Sequence, residues 1–246
     1  MQKYEAVAAV QLGQHLCFLY ETEEQQRAFV TPFLRTGLER NEKVIYAAHA
    51  HTPQFVLSCL EKDGLETAPY IARGQLVVVS AAAAYLPEGV FDPQRMIALI
   101  RAETARAFDR GYSGLRITGD LTWALDEPPG SQRLAEYEAK LNTFFPGSSC
   151  LALCQYHQKR FSPLALLNAL LTHPLVATPS GIYENFYYLP AEDLLGNNVP
   201  VEIFRQCMKN LVSRKGLECE LGDARQQFRM LIQERIAERK KAASES

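Results

Sequence analysis

The sequence predicts an α/β fold: a mostly parallel sheet flanked by helices, followed by a C-terminal helical arm. Three observations carry that expectation. Five short runs, at 15–20, 43–48, 75–80, 114–118 and 150–156, are apolar on both faces, as strands covered from both sides must be. Longer amphipathic stretches alternate with them, at 23–40, 52–63, 92–110, 131–144 and 162–172. The same strand-then-helix order, repeated five times, is that of parallel βα units.

The punctuation supports each element in turn. Thr52-Pro53, Asp92-Pro93 and Ser162-Pro163 each set a capping side chain before a proline at the first helical position. Gly37, Gly64 and Gly111 fall near the ends of helical runs, where a left-handed residue closes a helix. Within 91–111, Met96, Ile97, Ile100, Ala107 and Phe108 recur at three- and four-residue spacing and form one core-facing stripe. After Pro174, residues 175–178 and 181–189 read as two strands joined at Pro179-Ser180-Gly181, a terminal hairpin. From Pro200 onward Val201, Phe204, Met208 and Leu211 form one helical stripe. Leu217, Leu221, Ala224, Phe228 and Leu231 form a second, the spacing of a coiled-coil or helix-hairpin arm.

Composition narrows the function. A chain of 246 residues, 47% hydrophobic and 22% charged, builds a core that needs neither disulfide nor metal to hold it. With 26 Lys and Arg against 28 Asp and Glu, there is no basic excess to answer a nucleic-acid or anionic-membrane surface. The six Lys and Arg against two Glu within 225–241 read as a solvated basic helix end. No apolar run approaches 18 residues, and the N-terminus has no basic and apolar export regions, so neither a membrane span nor a signal peptide is expected. The six cysteines never form a CxxC pair and are expected to be reduced, in a cytoplasmic protein.

There is no GxxxxGK[ST] and no GxGxxG. After the first strand comes Tyr20-Glu21-Thr22-Glu23-Glu24, carboxylates where a phosphate cradle needs glycines and a lysine, which excludes ordinary NTP hydrolysis. Ligands of such sheets bind beyond the C-terminal strand ends. Tyr20 and Glu21 end the first strand, Asp120 follows the fourth, and Gln155, Tyr156 and His157 end the fifth. A pocket walled by Trp123 and Tyr156 at these strand ends is therefore expected; the plainer alternative is ordinary loop residues and a partly buried tryptophan. His15 and Cys17 share one strand face, and Cys150 and Cys154 share another, so a Cys/His metal site is geometrically possible. The spacing matches no metal signature, and no metal or other cofactor is assigned. No GxSxG elbow occurs, Cys154 and His157 point to opposite faces, and Glu136 and Glu138 lie two apart on one helix, so no catalytic residue is assigned.

Several segments together resemble one known family. They are 13–21 (GQHLCFLYE), 33–42 (FLRTGLERNE), 114–125 (GLRITGDLTWAL), 134–140 (LAEYEAK), Cys154-Gln155-Tyr156, His173-Pro174 and 183–188 (YENFYY). In order, over about residues 10–190, they are similar to the MEDS domain, the methanogen/methylotroph, DcmR-type sensory domain. The resemblance implies a RecA/KaiC-like layout without a P-loop over 10–190, with a helical arm over 191–246. It implies a non-enzymatic, ligand-sensing module of signal transduction or transcriptional control, binding a small organic molecule such as a hydrocarbon derivative. Residues matching the family's recurrent polar and aromatic positions are His15, Cys17, Tyr20, Arg116, Asp120, Trp123, Glu136, Cys154, Tyr156, His173 and Asn185; Glu21 joins them as a ligand-binding candidate, and Asp120, Arg116 and His15 are expected to supply the polar contacts of the pocket. Two departures stand out, Gln14 and Asp120 where the family pattern has an acid and Glu. The 56 residues after Pro190 are too few for a kinase core and are expected to dimerise or to dock on a separate signalling partner. No membrane or nucleic-acid partner is expected. Two alternatives remain: an enzyme acting on a small metabolite through Asp120 or His15, and a non-catalytic interaction scaffold.

Overall fold

A computed structural model describes residues 7–196, 199–210 and 212–213. The chain forms two compact units, Met1–Val199 and Pro200–Ser246. In the first, the order is β1 (His15–Tyr20), α1 (Glu23–Glu39), β2 (Lys43–Ala48), α2 (Pro53–Lys62), α3 (Ala68–Ala72), β3 (Leu76–Ser80), α4 (Ala81–Tyr85), α5 (Pro93–Asp109) and β4 (Leu115–Asp120). Two 3-10 turns, Leu121–Asp126 and Ser131–Arg133, lead into α6 (Leu134–Leu141) and β5 (Cys150–His157). Then come α7 (Pro163–Thr172), β6 (Leu175–Thr178), β7 (Gly181–Glu184) and α8 (Ala191–Leu194).

The strands make one seven-stranded sheet in the order β3-β2-β4-β5-β1-β6-β7. All pairings are parallel except β6 with β7, which closes the edge as an antiparallel hairpin. The expected fold class is therefore the observed one. Side-chain alternation along β5 divides the core. Leu151 and Leu153 face a layer in which Phe29, Phe33 and Leu34 of α1 and Val56 and Leu60 of α2 cover the sheet. Cys150, Ala152, Cys154 and Tyr156 face the other layer, under Ile100 of α5, Tyr137 and Leu141 of α6 and Ala169 of α7.

Local signals decide the helix starts. Thr52, Asp92 and Ser162 accept hydrogen bonds from the backbone N–H groups of Phe55, Arg95 and Ala165, each with proline in the first turn. Gly64 and Gly111 take the left-handed backbone that closes a helix, at φ +79° and +81°. Gly37 does not. It lies inside α1, and the left-handed residue after that helix is Asn41, at φ +57°. Gly37 is glycine for a different reason, since a β-carbon there would come within 2.6 Å of Arg116 Cδ and Nε. The stretch 131–144 is also shorter in helix than expected, a 3-10 turn followed by two turns of α6. The hairpin forms at the expected turn, but β7 stops at Glu184. Beyond it the Asn185 amide turns back to donate to the carbonyls of Leu170 and His173, at 2.6 and 2.7 Å.

In the second unit residues 200–210 are helical, with Val201, Phe204 and Met208 exposed along the expected stripe. Leu211, the second stripe at 217–231 and the basic run at 225–241 lie outside the described residues. Among the described residues, no helix is long and apolar enough to cross a membrane.

Candidate functional site

On the α5–α6–α7 side of the sheet, four buried polar side chains meet: His15 from β1, Cys154 from β5, Glu138 from α6 and His173 at the end of α7. Their donor atoms all lie within 4.8 Å of one another. The sheet sets two of them. Because β1 pairs with β5 with Cys17 opposite Cys154, His15 and Cys154 rise from neighbouring strands on the same face, one step apart. Glu138 reaches down from α6 beside Tyr137 and Leu141, inside the stripe that packs on the sheet. His173 arrives where the chain leaves α7 for β6, next to β1.

Glu138 is the hub. Its Oε2 lies 3.1 Å from His15 Nε2, 3.4 Å from His173 Nε2 and 3.3 Å from Cys154 Sγ. Its Oε1 accepts the Tyr156 hydroxyl at 3.2 Å. His15 Nε2 is also 3.4 Å from Cys154 Sγ. Burial opposes ionisation of Glu138, but the neighbouring His173 and His15 outweigh it and hold the carboxyl below its usual range. Burial and the neighbouring His173 push the other way on His15, lowering its pKa against the pull of Glu138. Burial, then the Glu138 charge, raises the thiols of Cys154 and Cys17 and the Tyr156 hydroxyl.

The surrounding groups fix how the histidines are held. Asn142 Nδ2 donates to the carbonyls of Glu138 and Thr172, so its Oδ1 must accept, and His15 Nδ1 stands 3.0 Å from it. His173 Nδ1 stands 2.8 Å from the Ala169 carbonyl and 3.0 Å from Thr172 Oγ1. Asn185 holds the His173 backbone through its carbonyl.

Three hollows lie at or near this cluster. A cavity of about 320 Å³ under α5 is lined largely by apolar side chains, among them Ile45, Val79, Met96, Ile100 and Ile117, and Cys154 is part of its wall. An open groove of about 510 Å³ runs past His15, Asn142 and Asn185, and another of about 490 Å³ touches Tyr156, Phe161 and Thr172.

The sequence candidates thus fall into separate groups. His15, Cys154, Tyr156 and His173 are together, with Cys17 beside Cys154 and Asn185 supporting His173. Trp123, 1% exposed, instead packs in the core between Tyr85 and Phe91, at ring-centroid distances of 5.0 and 4.9 Å. Asp120 caps the 3-10 turn through the Thr122 N–H and hydroxyl and accepts the Ala50 N–H. Arg116, fully buried, lies on the α1 side of the sheet, paired with Glu42 and stacked 4.6 Å from the Phe33 ring. Tyr20, on that same side, takes a hydrogen bond from Gln26, and Glu21 pairs with Lys159 at the surface. Glu136 points outward to Arg133 and Lys140. Glu138, two residues on, is the acid at the cluster, and neither it nor Asn142 was among the candidates. Both sit inside the buried stripe of Tyr137, Leu141 and Phe145, where a polar residue needs a polar partner.

Over 160 residues the chain is 26% identical to the transcriptional repressor DcmR of Methylorubrum extorquens, an alignment covering 65% of this chain and 57% of the repressor. The chain thus spans a little over half the length of that relative. A KaiC-like protein of the archaeon Pyrococcus horikoshii OT3 aligns in structure with a TM-score of 0.49 and 13% identity, over 68% of this chain and 71% of that one. The model of the MEthanogen/methylotroph, DcmR Sensory domain matches residues 14–174, a span that begins one residue before His15 and ends one residue after His173. The chain belongs to the MEDS family of sensory domains.

Proposed function

We propose that the chain is a ligand-responsive regulatory module of the cytoplasm, in which a small, largely apolar organic molecule occupies the cavity under α5. The observation that supports this most is the cavity itself. Its about 320 Å³ sits at the compact end of the roughly 300–1,000 Å³ usual for small-molecule sites. Its apolar lining suits a short hydrocarbon derivative, and its polar wall atoms at Cys154 and Tyr85 give such a molecule a place to orient a single polar group. The module would act on transcription or signalling by favouring one packing of the helices over the sheet, with the response carried by the chain after Pro190 to a second copy or a separate partner. Similarity to a transcriptional repressor supports a regulatory output rather than turnover.

The test is calorimetry and thermal denaturation of the full chain with short alcohols, haloalkanes and carboxylic acids. Saturable binding with a raised melting temperature is expected for at least one class. Met96→Trp, which fills the cavity from α5, should abolish that binding while keeping the fold. Unchanged affinity in this folded variant would remove the ligand from the cavity.

A further inference from the structure

The cluster of His15, Glu138, Cys154 and His173 has a feature that hydrogen bonding alone does not explain. Asn142 Oδ1 is an acceptor because its amide nitrogen is committed to two carbonyls, so His15 must present an N–H at Nδ1. The Ala169 carbonyl can only accept, so His173 must also present an N–H at Nδ1. In the neutral form both rings then carry a bare lone pair at Nε2, and both Nε2 atoms face the same carboxylate oxygen, at 3.1 and 3.4 Å. These are contacts between acceptors. His173 Nε2 is buried without a hydrogen-bond partner. One proton satisfies only one of the two Nε2 atoms and leaves the other lone pair against the carboxylate, and filling both gaps would leave two imidazolium ions against one carboxylate, a net positive charge in the core of the domain.

We propose that this cluster is a metal site for a divalent ion of the zinc type, bound by His15 Nε2, His173 Nε2, the Glu138 carboxylate and the Cys154 sulfur. The charges then close: a divalent cation, one carboxylate and one thiolate sum to zero, with both imidazoles neutral. Binding releases the Cys154 thiol proton to solvent. Two nitrogens, a thiolate and a carboxylate select a borderline transition ion over calcium or magnesium, which take oxygen ligands. Bond lengths of about 2.0–2.3 Å in a tetrahedron put ligand atoms roughly 3.3–3.8 Å apart, close to the spacings around Glu138. Outer partners are also in place, since ligating histidines ordinarily donate their other N–H to an amide or carbonyl oxygen, as His15 does to Asn142 and His173 to Ala169. Cys154 lies in the wall of the apolar cavity, so an ion here would stand beside whatever occupies that space.

The site does not depend on the organic ligand, and its test uses none. Full-length chain, stripped with chelator and titrated with cobalt(II) as a spectroscopic stand-in for zinc, should take up one ion per chain. It should show a thiolate-to-metal charge-transfer band, and zinc should displace the cobalt. Cys154→Ser should lose that band, and Glu138→Gln should weaken affinity at least 100-fold. Asn142→Ala, which touches no metal, should weaken it about 10–100-fold. Cys17→Ser removes a neighbouring thiol outside the four and should keep the band. Circular dichroism reports whether each variant folds; should Cys154→Ser fail to fold, the wild-type and Cys17→Ser spectra still decide the assignment. A wild-type chain that binds neither cobalt nor zinc at micromolar concentration, or a band lost with Cys17 and kept with Cys154→Ser, overturns it.

Discussion

Replacing Gly37 by alanine sets two effects of opposite sign against each other. Alanine inside a helix is favoured over glycine by about 1 kcal/mol, so at an open position of α1 the change would stabilise the fold. Position 37 is not open. The added β-carbon would stand 2.6 Å from Arg116 Cδ and Nε and 2.9 Å from Val44 Cγ2, where about 3.5–4.0 Å is comfortable. The guanidinium cannot swing aside, because Glu42 holds it through Nε and Nη2 and the Phe33 ring covers it. Overpacking of this kind costs about 1–3 kcal/mol, and any loosening of the buried pair adds to it. The net expectation is a loss of up to about 2 kcal/mol, and more if the buried pair loosens. For a folded unit near 200 residues, about 2 kcal/mol lowers Tm by about 4–8 °C, at roughly 2–4 °C per kcal/mol. Thermal denaturation followed by circular dichroism measures it. A Tm at or above that of the parent would refute the argument that Arg116 dictates the glycine.

Two further outcomes follow from ion pairs described here. Glu42→Gln leaves the Arg116 charge fully buried without its counterion and is expected to cost about 3–5 kcal/mol in urea unfolding; a loss under about 1 kcal/mol would show that water reaches the guanidinium. Asp63 ties α1 to the end of α2, and the hydrogen bond from Arg27 holds its carboxyl below the ordinary value of 3.8. A depressed carboxylate stabilises the fold above its unfolded pKa and loses that contribution as pH falls through the folded one. Asp63→Asn should therefore be less stable than the parent at neutral pH, with the difference closing below pH 3.8; a gap that stays constant into acid would contradict it.

The sheet was readable in the sequence because its strands are covered on both sides. A run such as Leu-Cys-Phe-Leu at 16–19 has few other places to go, and the Thr-Pro, Asp-Pro and Ser-Pro pairs mark helix starts through purely local bonds. The site was half readable. His15, Cys154 and His173 came with the family resemblance, but bringing them together requires strand order, and nothing local says that β1 lies between β5 and β6. The expected pocket gathered Arg116 and Asp120 with His15, although period-two alternation puts Arg116 on the far face of the sheet. Glu136, which came with the resemblance, pairs outward with Arg133 and Lys140. Tyr137 and Leu141 mark the buried side of α6, and Glu138 lies within its arc.

The central position of β1 governs how the chain can be built during synthesis. His15 leaves the ribosome 139 residues before its partner Cys154, and His173 follows later still. At about 5–20 residues per second, the first strand waits on the order of 7–30 s with both edges unpaired. Until then Leu16, Phe18 and Leu19 form an open strand able to pair with whatever lies nearby. Assembly of the histidine, glutamate and cysteine cluster therefore coincides with completion of the sheet, and a chain released before residue 173 would have neither.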